Sequence, residues 1–76
     1  MVKAGEKYRH FKGGEYEVLW VARDCENLLR EVVVYKSLYV SKEFPIGTVW
    51  ARSLDDFVGE KIFDDGKKVK RFELVE

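Results

Sequence analysis

The aromatic and β-branched residues of this chain fall in short runs separated by glycine-bearing turn signals, and that spacing leaves room for strands and little else. Three runs are clear. Glu15–Arg23 reads as a strand with Tyr16, Val18, Trp20 and Ala22 on one face and Leu19 and Val21 on the other. Glu31–Tyr39 reads as a second, with Val32, Val34 and Leu38 opposite Val33, Tyr35 and Tyr39. Thr48–Arg52 is a shorter third, with Trp50 and Arg52 sharing one face because strand side chains alternate with period two. Both faces of the first two carry apolar groups, which places them centrally in a sheet.

Weaker runs flank these. Lys7–Lys12 precedes Gly13-Gly14, a two-glycine turn signal into the Glu15 strand. Lys61–Phe63 and Lys68–Val75 are joined by Asp64-Asp65-Gly66, where Asp-Gly tolerates positive φ. Asp24–Arg30 reads as a loop or a turn of helix, its Asp24, Glu26 and Asn27 favouring a turn over a continued strand, and Ser41–Gly47, with the only proline, as a loop. Ser53 fits a helix cap three residues before Asp56, and Gly59 fits the stop, so one helical turn is expected with Leu54 and Phe57 facing the core. The fold class expected is mainly β: a small SH3-like barrel of five to six antiparallel strands with one short helical turn, or alternatively an open α+β sheet.

Seventy-six residues make one expected domain, 1–76, that buries only about 60% of its unfolded surface. Lys and Arg together number 14, as do Asp and Glu, so the net charge is zero with histidine neutral. A nucleic-acid binder more often carries a basic surplus, although here the charge is uneven. Lys3–Lys12 and Lys67–Arg71 are net basic, and Asp55, Asp56, Glu60, Asp64 and Asp65 are acidic. One cysteine excludes an internal disulfide. The first residues lack the apolar run of a signal peptide, and no stretch approaches the ~20 apolar residues of a membrane helix. A cytoplasmic protein that does not meet membranes is therefore expected.

The segment Tyr8-Arg9-His10-Phe11-Lys12-Gly13 holds the only histidine between two cations and two aromatics. His10 can serve as base, acid or anion contact; the bland alternative is a surface or capping histidine. Arg9, Arg23, Arg52 and Arg71 each stand in or at the end of a predicted strand. Converging guanidiniums would make an anion site, whereas pairing with Glu15, Glu17, Glu31 and Glu73 across strands would make them scaffold. Trp20, Trp50, Tyr35 and Tyr39 can stack on a flat ligand or fill the core, and Trp50 beside Arg52 is the pair best placed for contact. Nothing near Cys25 marks it as an activated nucleophile, with acidic Asp24 and Glu26 on either side of it. One His and one Cys lack metal-ligand spacing, and Gly13-Gly14 lacks the Lys-Ser/Thr and helix of a phosphate loop. No metal or cofactor is expected.

These motifs, in order, are similar to one known family. Gly5, Tyr8 through Gly13, Tyr16-Glu17-Val18-Leu19, Val21-Ala22-Arg23, Val33-Val34-Tyr35-Lys36, Leu38-Tyr39, Trp50, Arg52, Leu54, Phe57, Gly66 and Arg71-Phe72 resemble the small prokaryotic domain of unknown function 1653 over nearly the whole chain. The family pattern tends to glycine where Trp20 stands, His-Ser where Asp24-Cys25 stands, and proline at Ser53 and Lys70. A second histidine at position 24 is thus lacking here. The resemblance implies a stand-alone cytoplasmic domain and supplies no activity.

The function these readings favour is a non-catalytic binding module. Arg9, His10, Arg23, Trp50 and Arg52 would recognise an anionic ligand, a nucleotide or RNA. One alternative is a small hydrolase or transferase with His10 as acid or base. Another is a protein-interaction domain using the apolar second face of the Val32–Tyr39 strand.

Overall fold

The computed structural model describes residues 1–75; Glu76, the last residue of the expected domain, lies outside the described residues. Strand β1 spans Lys7–His10, β2 Glu15–Arg23, β3 Glu31–Ser37 and β4 Val49–Ser53. Helix α1 follows at Leu54–Phe57, then β5 at Glu60–Ile62, β6 at Lys68–Lys70 and β7 at Phe72–Val75. Five strands pair in the order β4-β3-β2-β1-β7, and β5 and β6 form a separate ribbon. The β1, β2 ladder joins Tyr8 to Tyr16, and the β1, β7 ladder joins His10 to Phe72. All ladders are antiparallel.

The protein is therefore mainly β with one short helix, as expected. The pairing stops short of the closed SH3-like barrel: the row has two edges, β4 and β7, and no ladder joins them among the described residues. The reason is local. β4 runs directly into α1, and Phe57 from that helix is laid over the inner face of the sheet. Its ring stacks on Phe72 of β7 at 4.2 Å and meets Tyr8 of β1 and Tyr35 of β3 edge-on at 5.1 and 5.4 Å. A helical turn thus covers apolar surface that a further ladder would otherwise cover.

The core is small: Val2, Val18, Val33, Tyr35, Phe57 and Phe72, with Tyr8, Tyr16, Val21, Trp50 and Leu54 packed against it. Simple alternation puts Val18 and Trp20 on one face, and the structure separates them. The ladder pairs Val18 with Tyr35 and then Trp20 with Val34, so Leu19 is an extra residue. Such a bulge inverts the face of everything beyond it. Val21 consequently turns inward, and Trp20 is 66% exposed on the outer face.

The last expected strand, Lys68–Val75, divides at Arg71 because the chain changes partner there. Arg71 donates its N–H to Gly59 O at 3.0 Å, beside the ribbon, and accepts at its own carbonyl from Phe11 N at 3.0 Å, at the end of β1. The Asp64-Asp65-Gly66 turn closes the ribbon through Gly66 N to Phe63 O at 2.9 Å. The expected cap forms as well: Asp56 N donates to Ser53 Oγ at 3.3 Å. Leu54 and Phe57 both face the core.

Phe57 is 1% exposed and touches three core rings. Phe57→Ala is expected to cost about 3–5 kcal/mol in urea unfolding, a large share of the stability of so small a domain. A loss below about 1 kcal/mol would mean that the helix does not hold the inner face.

Candidate functional site

Alternation along β1 decides which of its polar groups can act together. Tyr8 and His10 are half-buried on the inner face, and Lys7 and Arg9 are exposed on the outer one. The Gly13-Gly14 turn that follows has two distinct requirements. Gly13 stands at φ 103°, open to glycine and strained for other residues. Gly14 is needed for space: a Cβ there would lie 2.5 Å from the Tyr39 ring. The missing side chain lets Tyr39 settle where its hydroxyl meets that of Tyr16 at 2.6 Å.

His10 is the centre of the inner-face cluster. It lies directly opposite Phe72 in the ladder, and its ring meets the Phe72 edge at 4.9 Å and Phe11 at 4.3 Å. The Arg52 guanidinium sits over the same Phe72 ring at 5.8 Å, and its Nε donates to Tyr35 Oη at 3.3 Å. The Lys12 ammonium lies over Phe11 at 5.9 Å. Arg71 is fixed at the β6, β7 break by its two backbone hydrogen bonds, and its Nε is buried with no hydrogen-bond partner among the described residues.

Desolvation, and then the positive charges of Arg52, Lys12 and Arg71, hold the His10 pKa below 6.5. The Lys12 backbone N–H donates to His10 Nδ1 at 3.2 Å. Neutral imidazole with Nδ1 accepting carries its proton on Nε2, so His10 presents a donor. Nδ1 is not open as a base, and no carboxylate hydrogen-bonds the ring among the described residues. Burial also raises the Tyr16 pKa, reinforced by its bond to Tyr39 and opposed in part by Arg52. The inner face thus offers cations, a neutral N–H and phenol hydroxyls.

The five expected site residues are distributed as follows. His10 and Arg52 come together over Phe72. Trp50 shares the inner face with Arg52, half-buried, opposite Tyr35 and against Phe44 at 4.8 Å; its indole N–H is buried with no hydrogen-bond partner among the described residues. Arg9 is engaged on the outer face by Glu15, through Nε at 3.3 Å and Nη2 at 3.0 Å, and faces Glu73 across the other ladder. With His10 it lines an open depression of about 540 Å³, which Glu73 also lines. Arg23 ends β2 and donates to Leu28 O at 2.7 Å, closing the loop to β3. Lys12, Tyr16 and Arg71 complete the cluster. Arg9 and His10 are sequence neighbours on a strand, so alternation sends them to opposite faces, a consequence the expected five-residue site did not use.

Three ion pairs form among the described residues: Arg9 with Glu15 at 3.0 Å, Arg30 with Asp24 at 3.9 Å and Lys36 with Glu17 at 3.9 Å. None includes Arg52, Arg71 or Lys12. No three His, Cys, Asp or Glu side chains among the described residues are grouped to hold a metal ion, and no helix is long and apolar enough to cross a membrane.

The model of the family described as a protein of unknown function, DUF1653, matches residues 6–74. The crystal structure of a protein belonging to DUF1653 from Bordetella bronchiseptica matches with a TM-score of 0.72 at 32% identity, over 97% of this chain and 87% of that one. No curated protein matches.

The His10 environment has a pH signature. The unfolded chain titrates near 6.5 and the folded one lower, so between those values the unfolded state holds more protons. Stability is therefore fully present above 6.5 and falls as pH is lowered through the window beneath it. A nuclear magnetic resonance titration of the ring should give a midpoint under 6.5, mirrored by the Lys12 amide. Arg52→Gln should move that midpoint upward; an unmoved midpoint would separate Arg52 from His10. Gly14→Ala should displace the Tyr39 ring and perturb the Tyr16 hydroxyl, read in the aromatic spectrum.

Proposed function

We propose that this chain, which belongs to the DUF1653 family of unknown function, is a non-catalytic binding module for an anionic ligand. The observation that carries the reading is the imbalance of charge on the inner face. Arg52 shares the Phe72 ring with the half-buried His10, the charges of Arg71 and of the exposed Lys12 also act on it, and none of the three is paired with a carboxylate among the described residues. Elsewhere on the sheet, cations are matched across strands. Leaving positive charge uncompensated in a partly desolvated setting costs stability, and an arriving anion removes that cost. His10 adds a neutral donor and Trp50 an adjacent aromatic surface. His10 fits the role of donor better than that of general base, because its Nδ1 lone pair already accepts from Lys12. Arg9 and Arg23, engaged elsewhere, stand outside this reading. A nucleotide or RNA in the cytoplasm is the ligand setting expected from the sequence.

Titration with a nucleotide panel and mixed RNA at low ionic strength should shift the amides of His10, Arg52 and Arg71. Arg52→Gln should weaken binding about tenfold or more, the loss of one charge-assisted hydrogen bond, and high salt should weaken it further. Absence of any shift at those residues would refute the reading.

A second reading rests on a separate observation. Trp20, Val34 and Ala51 form one cross-strand row on the outer face, with Trp20 66% exposed. Pairing of two copies through this row is expected to give a concentration-dependent mass by light scattering that Trp20→Glu abolishes. A constant monomer mass would count against it.

A further inference from the structure

We propose that the group recognised at His10, Arg52 and Arg71 is a phosphate dianion, free or as the terminal monoester of a larger molecule. This inference rests on the anion-binding reading and narrows it.

The narrowing comes from counting donors. Arg52 spends its Nε on Tyr35 Oη, which leaves the two terminal nitrogens of the fork. Lys12 spends its backbone N–H on His10 Nδ1, which leaves the ammonium and, on the ring, the Nε2 proton. Arg71 keeps its terminal nitrogens beyond a buried Nε. Every free position is therefore a donor, and three of the four contributing side chains are full cations. A single carboxylate carries one charge and two oxygens, too few to meet donors arriving from β4, from the turn after β1 and from the β6, β7 break. A phosphate monoester brings about −1.5 to −2 charges and three acceptor oxygens. Guanidinium forks match that geometry in two-bond contacts.

The surroundings argue against a polymer of phosphodiesters. Such a chain needs a basic track along which successive phosphates are met. Two outer-face cations that could extend one are committed, Arg9 to Glu15 and Lys36 to Glu17, and the net charge of the chain is zero. Glu73, exposed opposite Arg9, lines the depression that His10 also lines, so a polyanion continuing past His10 into it would meet like charge. One compact dianion fits this pattern, and an extended polyanion does not.

The test uses the whole chain and four probes: inorganic phosphate, a nucleoside 5′-monophosphate, an oligoribonucleotide without terminal phosphates, and acetate. Amide and arginine Nε–H shifts of His10, Arg52 and Arg71 report binding. Inorganic phosphate and the monophosphate are expected to saturate these shifts at least tenfold more tightly than acetate or the oligoribonucleotide. The phosphorus resonance of the bound group should titrate at lower pH than in free solution, because surrounding cations favour the dianion. Tighter binding of the monophosphate with shifts reaching Trp50 would identify a nucleotide source, and equal binding would identify the phosphate group itself as sufficient. An oligoribonucleotide or acetate bound as tightly as the monoester would overturn this inference while leaving the anion reading in place. No shift with any probe would overturn both.

Discussion

The structure depends on the stacking of Phe57 on Phe72. One ring comes from a single helical turn, the other from the last strand, and between them they seal the inner face of a sheet whose edge strands β4 and β7 share no ladder among the described residues. The same Phe72 ring then serves the candidate site. His10 meets its edge and Arg52 lies over its face, so two polar side chains from β1 and β4 are oriented by one apolar side chain from β7. Packing and recognition share a residue. In a domain with six buried apolar side chains in its core, there is little else to set the two groups against each other.

The two faces of the sheet handle charge differently. Outside, Lys and Glu residues stand opposite one another across strands and cancel. Exposed pairs of this kind add little stability, about 0–1 kcal/mol each, and their effect is to leave the surface neutral. Inside, Arg52 and Arg71 are half-buried near a half-buried histidine, with the exposed Lys12 beside it, and no carboxylate pairs with any of the three among the described residues. The zero net charge of the chain conceals this separation, because a balanced total is compatible with one neutralised face and one positive pocket of charge.

Much of this was legible in the residues. Period-two alternation, the glycine turns and the Ser53 cap defined most elements, and the spread of β-branched and aromatic residues fixed the class. Three things were not legible, each for a physical reason. The Leu19 bulge leaves no compositional mark, yet it turns Trp20 outward and Val21 inward. The division of the last strand at Arg71 is a change of hydrogen-bond partner within a run whose residues favour extension on both sides. The absence of closure depends on where Phe57 lands after the helical turn, a long-range contact. Of the five candidate residues, Trp50 and Arg52 share a face as alternation predicts, and His10 meets the same Phe72 ring as Arg52. Arg9 was grouped with His10 although alternation turns it to the other face, and the role of Arg23 in closing its loop needed the Leu28 carbonyl to be placed.

Arg71 sits at the passage from the two-stranded ribbon to the main sheet, tied by its amide to Gly59 and by its carbonyl to Phe11. A two-stranded ribbon is the least stable kind of sheet and opens first. When the ribbon frays, the Gly59 anchor loosens and one cation of the inner cluster loses half of its tether, while His10 and Arg52 stay in place. The cluster is thereby divided into a rigid part and a part borrowed from a fragile element. Whatever occupies the inner face and grips Arg71 would act as a clasp on a ribbon it never touches.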